Sequence, residues 1–432
     1  MIPEKTDTLI VGAGQSGIAM SEHLTELGVP HIVLERNRIA ERWRSERWDS
    51  LVANGPAWHD RFPNLEFDDV DPESFPPKER MARYFEDYAR MVDAPIRTGV
   101  EVKRVRRCEG RPGFIVTTSQ GDFEALRVVA ATGPFQVPSW PRLVPDTAPV
   151  SQIHSKDYKN PEQLAQGAVL VVGGGASGCQ IAEELRQSGR EVYLSIGEHY
   201  RPPRSYRARD YVWWLGVLGK WDEIRKDSKK KHVAFAVSGY DGGKTVDFRR
   251  LGHMGITVLG KTEAYDNGVV RFAGDLVENI REGDRAYLEV LSEADTYVAR
   301  NGIDLPPEPE AWDILPDPDC IKDPLRELDL AQAGIRTIIW ATGFKFDFSW
   351  LEVDAFHEDG TPFHKRGISA EQGIYFLGLP ELTNRASSFI YGCWYDAKYI
   401  ATHIGVQRNY VSYEKPYEAQ NDIPMQRGAA AS

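Results

Sequence analysis

A chain of 432 residues with 41% hydrophobic content can bury more than one core, and at roughly 100–200 residues per domain it divides into two or three. Acidic residues outnumber Lys plus Arg, 64 against 52, for a net charge of −12, which speaks against nucleic acid as the main partner. No run reaches the ~18 consecutive apolar residues of a membrane span, the start Met1-Ile2-Pro3-Glu4-Lys5 lacks a signal-peptide pattern, and the cytoplasm is the expected compartment.

The first element is an apolar strand, Leu9-Ile10-Val11, running into Gly12-Ala13-Gly14-Gln15-Ser16-Gly17 and then a helix. Gly12 permits a tight turn, Gly14 lets backbone N–H groups approach a pyrophosphate, and Gly17 lets the helix pack closely on the strand. Glu35 ends the next strand, where an acid about 20 residues past the glycines accepts hydrogen bonds from an adenosine ribose. Strand, helix and acid agree on a dinucleotide site, with Gly12, Gly14, Gln15, Ser16, Gly17, Glu35 and the adjacent Arg36 as its candidate residues.

Trp43 and the run Arg47-Trp48-Asp49-Ser50 follow, then Asn54-Gly55-Pro56, Trp58 and Phe62-Pro63. Tryptophans among arginines also read as packed edges with cation–π partners, and Asn54-Gly55-Pro56 is also good turn sequence. The apolar strand Val128-Val129-Ala130 closes in Ala131-Thr132-Gly133, small residues that let the chain turn close to a cofactor or cross to another domain.

Val169-Leu170-Val171-Val172-Gly173-Gly174-Gly175-Ala176-Ser177-Gly178 repeats the first design. Two dinucleotide sites imply two dinucleotides. The economical pairing is FAD on the first and a nicotinamide cofactor on the second, since hydride passes between two rings and protein supplies neither. Gly173, Gly175, Ala176, Ser177 and Gly178 are candidate contacts. Ile196 stands at the ribose position, and Arg201, Arg204 and Arg207 follow. The missing acid favours a 2′-phosphate, read by Arg201 and Arg204, and hence NADPH; Glu198 counts the other way and leaves NADH open.

Beyond Ser205 the chain reads as the rest of the nicotinamide domain with a helical cap. Trp213 and Trp214 are neighbours and cannot share a helix face, so one is expected in the core and the other on a substrate tunnel, in an order that the sequence leaves undecided. Lys229-Lys230-Lys231 reads as a solvated helix face. Ile338-Ile339-Trp340 ends in a second Ala341-Thr342-Gly343. The chain then returns through Gly373–Pro380 and Ser387-Ser388-Phe389 to a closing helix that carries Trp394 and Asp396. The bulk of Cys393-Trp394-Tyr395 either narrows a cavity or only repacks that helix. Four scattered cysteines, Cys108, Cys179, Cys320 and Cys393, form no CxxC, and the histidines lack zinc-type spacing. No metal site is expected.

These motifs, in this order, resemble the flavin-containing monooxygenases, and within them the bacterial CzcO-like branch, whose members are labelled flavoproteins involved in potassium transport. The carriers are Arg47-Trp48-Asp49-Ser50, Asn54 ahead of Trp58, the two Ala-Thr-Gly strand ends, and His154-Ser155-Lys156-Asp157-Tyr158 at the end of the family fingerprint. The departures are Ala148 and Val150 at that fingerprint's Phe and Gly, and Ala40-Glu41-Arg42-Trp43 where the family has Gly-Gly-x-Trp. The resemblance covers nearly the whole chain.

It implies an α/β fold of two Rossmann-like dinucleotide-binding domains, with a discontinuous FAD domain (1–148 and 331–432) into which the nicotinamide domain (149–330) is inserted. Trp43, Thr132, Gly133, Thr342, Gly343 and Asp396 join the cofactor contacts. The closing helix is expected to aim its N-terminus at the flavin pyrimidine. The implied activity is an NADPH-reduced monooxygenase whose flavin captures O₂ as a C4a-peroxy adduct, with Asn54 as the catalytic amide beside it. Such an adduct oxygenates nitrogen or sulfur; its deprotonated form performs Baeyer–Villiger chemistry on ketones. Aromatics near Trp58, Trp213 and Trp394 suggest a small, flat or apolar substrate. Alternatives are a flavin disulfide reductase, against which the missing CxxC counts, and a nucleotide-sensing regulator of a transporter. A homodimer is left open.

Overall fold

The computed structural model describes residues 2–224 and 234–412; the Lys229-Lys230-Lys231 run lies outside them. Two sheets organise the chain. In the first, Glu4–Val11 lies between His31–Glu35 and Gly121–Ala130, parallel to both, and Ile96–Thr98 continues the sheet beyond His31–Glu35. Ile374–Phe376, from the last part of the chain, pairs in parallel with Gly121–Ala130, so the domain is built from both ends of the sequence. Leu9, Ile10, Val33 and Val129 are buried, as expected of parallel strands covered on both faces.

The second sheet runs in the order Ile256–Leu259, Val192–Ser195, Ala168–Val172, Ile335–Trp340, Ser151–His154, all parallel. This corrects the boundary expected at 331. Ile335–Trp340 is a central strand of the second sheet, wedged between Ala168–Val172 and Ser151–His154, and the chain returns to the first domain only beyond it. The cap is made by Tyr211–Val217 and the long helix Leu276–Asn301.

The two crossings between the sheets are tied together. Val137–Pro138 pairs antiparallel with Phe344–Lys345, and Ser139 N donates to Gly343 O at 2.9 Å. Gln136 bridges both connections: its Nε2 donates to Thr132 Oγ1 and Gly133 O, each at 2.9 Å, and its Oε1 accepts from Asp347 N at 2.7 Å. His154 is fully buried, with Nε2 3.0 Å from Gly343 O and its ring against Phe344. Burial pulls its pKa below the ordinary histidine value, and its position makes it a pin of the crossing.

The helices Gln15–Glu26 and Ile390–Val411 pack together on the first sheet. Their contact is organised by a buried carboxylate. Glu22 accepts from Asn64 Nδ2 (2.6 Å), Trp394 Nε1 (2.7 Å) and Tyr88 Oη (2.8 Å), which satisfies a charge that is otherwise costly to bury. Trp394 therefore repacks the closing helix, and none of Cys393, Trp394 and Tyr395 borders the cavity described next. Among the described residues no helix is long and apolar enough to cross a membrane.

Candidate active site

A cavity of about 2750 Å³ is bordered by both glycine turns. At the first, Gly12 has φ +106°, and a Cβ there would lie 2.7 Å from Ala131 O. A Cβ on Gly17 would meet Gly12 O at 1.9 Å, so Gly17 serves the helix–strand contact and does not border the cavity. Gly14 differs. It is the N-cap of Gln15–Glu26 with extended backbone and no side-chain cap, and a Cβ there would meet nothing within 4 Å. Uncapped N–H groups thus face open volume, a cradle that fits a pyrophosphate. Glu35 borders the same space, with Oε2 accepting from Ala13 N and Oε1 from Asn37 N, both at 2.9 Å.

Gln15, Ser16, Arg36, Trp43, Thr132 and Gly133 also border the cavity. Gln15 Nε2 donates to Ser388 O at 3.0 Å, which fastens the first turn to the entry of the closing helix. Ser388, Phe389 and Ile390 border the cavity there, and the N-cap Phe389 supplies no side-chain cap, so a second helix N-terminus faces the cavity. Asp396, expected among the cofactor contacts, lies too deep. It is buried behind that entry and does not reach the cavity; burial raises its carboxyl above the usual range, against opposing hydrogen bonds from Ser387 and Thr383.

The second turn copies the first. Gly173 has φ +131° with Ala341 O 2.3 Å from a Cβ, and a Cβ on Gly178 would meet Gly173 O at 1.9 Å. Gly173, Gly175, Ala176 and Ser177 border the cavity, as do Thr342 and Gly343 from the crossing; Gly178, like Gly17, packs behind. The helix Ala176–Gln187 starts without a side-chain cap.

Arg201 and Arg204, expected to read a 2′-phosphate, are spent elsewhere. Each is 3% exposed and outside the cavity lining. Arg201 pairs with Asp284 at 2.5 Å and Asp247 at 3.4 Å, and lies over the Tyr287 ring. Arg204 pairs with Asp210, donates to Asn54 O at 2.6 Å and covers Phe75. Arg207 pairs with Asp295. A buried guanidinium matched to a carboxylate holds structure and offers no free charge. Strand register brings a further cation beside that strand end, one that likewise does not border the cavity. Ser195 pairs with Leu259, so the residues two beyond, Gly197 and Lys261, end side by side, the Lys261 stem 3.8 Å from a Cβ built on Gly197. Lys261 is exposed and its ammonium has no ion-pair partner among the described residues.

Asn54 is exposed to the cavity. Its Oδ1 accepts from Gln180 Nε2 at 3.1 Å, and its main chain is held by Arg204, so the inserted domain grips it twice. Gln180, unsuspected from sequence, sits one turn beyond the second glycine turn, 4% exposed. Of the aromatics, Trp58, Trp213 and Trp394 do not border the cavity, whereas Trp43, Trp48, Trp214, Trp221 and Phe389 do. Trp214 is the core member of its pair, its Nε1 donating to Tyr206 O at 3.0 Å; Trp213 packs under Arg209. All four cysteines are free and none borders the cavity. Burial pushes the Cys393 thiol up to about 12 and raises Cys179 further, so neither offers a thiolate.

A family model described as pyridine nucleotide-disulphide oxidoreductase matches residues 9–215. The chain is 32% identical over 405 residues to an uncharacterized CzcO-like oxidoreductase of Geobacillus kaustophilus, covering 92% of this chain and 98% of that one. It is 31% identical over 415 residues to a probable indole-3-pyruvate monooxygenase of Arabidopsis thaliana, covering 92% and 89%. The chain belongs to the flavin monooxygenase superfamily, in its CzcO-like branch. The solved flavin-containing monooxygenase from Stenotrophomonas maltophilia shares the fold, with a TM-score of 0.65 at 17% identity over 94% of this chain and 99% of that one. This member of the superfamily is a flavin-dependent NAD(P)H monooxygenase with FAD and NADP(H) as its cofactors. The dithiol that a disulfide reductase requires has no seat at its cavity.

Proposed function

We propose that the first glycine turn holds FAD and the second NADPH, and that the enzyme transfers one oxygen atom of O₂ to a soft nitrogen or sulfur of a small organic substrate. The observation that carries this reading is a single cavity bordered by both turns, with the Asn54 amide exposed to it. The uncapped helix at Gly14 and the Glu35 carboxylate suit a pyrophosphate and a ribose. Lys261, beside the end of Val192–Ser195, suits the 2′-phosphate. Bound FAD, once reduced, supplies the electrons that activate O₂.

The chain's own residues do the rest. With Oδ1 engaged by Gln180, Asn54 keeps its Nδ2 hydrogens for an oxygen acceptor in the cavity, and being neutral it donates without delivering a charge. Val212, Leu215, Val237 and Val290 border the cavity on the cap side and exclude water from the reacting groups, which suppresses loss of hydrogen peroxide. The test is Asn54→Ala in the FAD-loaded enzyme, with methyl p-tolyl sulfide as probe. The variant is expected to stay folded and yellow, to be reduced by NADPH at the wild-type rate, and to divert most electrons to hydrogen peroxide. Full coupling of NADPH consumption to sulfoxide in the variant overturns the role of Asn54; failure of the wild type to form sulfoxide or N-oxide from any soft nucleophile overturns the oxygen-transfer reading.

A further inference from the structure

Most cations that border the cavity are already matched: Arg42 with Glu46, Lys156 with Asp157, Lys220 with Glu293 and Arg385 with Glu223. Arg36, Arg47 and Lys103 border it with no ion-pair partner among the described residues. Arg36 follows Glu35, and Lys103 lies just beyond Val100, whose N donates to Glu35 O at 2.9 Å, so both belong to the ribose end of the first dinucleotide site. Arg47 remains. Burial and the nearby Arg42 charge pull its pKa down to about 10, against the opposing Glu46 charge, so it stays charged near neutral pH while lacking the carboxylate that usually accompanies a cation set this deep.

Only one arm of its guanidinium is used. Nη1 donates to Glu46 O at 2.9 Å, whereas Nε and Nη2 make no hydrogen bond and, unlike the unpartnered nitrogens of Arg80, Arg204 and Arg250, are not sealed from solvent. Because Arg47 is half-buried and borders the cavity, that open surface is cavity surface. Nε–H and Nη2–H point the same way and form the parallel fork that takes both oxygens of one carboxylate; Arg38 uses the same two nitrogens on Glu41, at 2.7 and 2.8 Å. The fork is also held in place. Its guanidinium lies over the Phe135 ring at 4.8 Å, and Arg47 O accepts from the Nζ of Lys78 and of Lys159, at 3.4 and 3.3 Å. Phe135 is itself 42% exposed and borders the cavity with Phe344, edge to face at 5.3 Å, so apolar surface adjoins the open charge.

We propose that Arg47 binds a carboxylate of the substrate through Nε and Nη2, and that the substrate is an organic acid whose apolar part lies against Phe135 and Phe344, its soft nitrogen or sulfur elsewhere on the molecule. Dinucleotide phosphates share this oxyanion chemistry, but each pyrophosphate has an uncapped helix start of its own, at Gln15–Glu26 and at Ala176–Gln187, which leaves the fork to a third anion. The inference rests on the oxygen-transfer reading above for what happens to the acid, but not for how it binds.

The test is calorimetric titration of the FAD-loaded enzyme with 4-(methylthio)benzoate and with 4-(methylthio)benzamide, which has the same shape but no charge. Wild type is expected to bind the benzoate about tenfold more tightly, the effect of exchanging a neutral for a charge-assisted pair of hydrogen bonds. Arg47→Gln deletes the charge and should abolish the preference, leaving affinity for the amide and for NADP⁺ unchanged. Arg47→Lys keeps the charge without the fork and should retain a preference of about threefold. Equal wild-type affinities, absence of binding by both ligands, or a preference that survives Arg47→Gln overturns the proposal. So does a loss of NADP⁺ affinity in Arg47→Gln as large as the loss for the benzoate, which would give the fork to a cofactor phosphate. Should Arg47→Gln fail to load FAD, Arg47→Lys decides alone, and an undiminished preference there overturns the fork. Sulfoxidation is scored separately: benzoate that binds with the expected preference but is never oxygenated removes the oxygen-transfer reading and leaves the carboxylate site standing.

Discussion

The sharpest perturbation of the first dinucleotide site is Gly14→Ala. At Gly12 any side chain is resisted by the protein itself, because φ is +106° and Ala131 O stands 2.7 Å from the Cβ, so a loss of cofactor there is confounded with misfolding. At Gly14 the backbone is ordinary, φ −84° and ψ −172°, and the methyl meets no protein atom within 4 Å. Exchanging Gly for Ala at an N-cap costs on the order of 0.5–1 kcal/mol, while the stiffer unfolded chain returns about 0.4–1 kcal/mol. The apoprotein should melt within about 2–4 °C of wild type. The methyl does occupy the space into which the helix N–H groups point. Displacing a pyrophosphate from two charge-assisted hydrogen bonds, at about 1.5–3 kcal/mol each, sums to roughly 3–6 kcal/mol, or about 10²–10⁴ in FAD affinity. The assay is flavin fluorescence titration of apoprotein beside its thermal melt. A folded Gly14→Ala protein with wild-type FAD affinity refutes the assignment of this turn.

Lys261→Ala should cut the preference for NADPH over NADH in kcat/KM by about tenfold, roughly 1.4 kcal/mol of phosphate recognition; Arg201→Ala should instead destabilise by about 3–5 kcal/mol by leaving Asp247 and Asp284 under-paired, with no change of preference in whatever folds. An unchanged NADPH preference in Lys261→Ala sinks the first of these. Glu22→Ala should cost at least about 2 kcal/mol, since the buried Tyr88 and Trp394 donors lose their acceptor along with the exposed Asn64 amide, and denaturant titration showing under about 0.5 kcal/mol lost, on the scale of an ordinary surface change, contradicts the role given to that carboxylate. Asp396 has a folded pKa above its ordinary 3.8, so the native state binds more protons between the two values and stability falls as pH rises through that window. Asp396→Asn should therefore raise Tm at pH 7 and give no gain below pH 3.8; a gain of equal size at both pH values contradicts the linkage.

Both glycine turns were legible because their constraint is local: a positive φ and a helix pressed on its own strand are written within a few residues. The misread residues failed for the opposite reason. Arg201 and Arg204 looked like free cations because Asp284 and Asp247 lie far along the chain, and Asp210, only six residues on, carries no mark of burial. Lys261 became visible only through strand register. Whether Trp394 narrows a cavity or only repacks its helix stayed open until Glu22, 372 residues away, claimed its indole N–H. The boundary at 331 fell short because a buried parallel strand such as Ile335–Trp340 has no sequence mark of which sheet receives it.

The ribbon that joins the two crossings constrains how the two domains can shift against each other. A single connection leaves an inserted domain free to swing in any direction; two connections hydrogen-bonded along Val137–Pro138 and Phe344–Lys345 behave as the two leaves of one door hinge. Sliding apart breaks the shared rungs, whereas turning about the ribbon's long axis leaves them intact. Asn54 is held by Gln180 and Arg204 from the second domain, so any displacement across the ribbon bears directly on the amide.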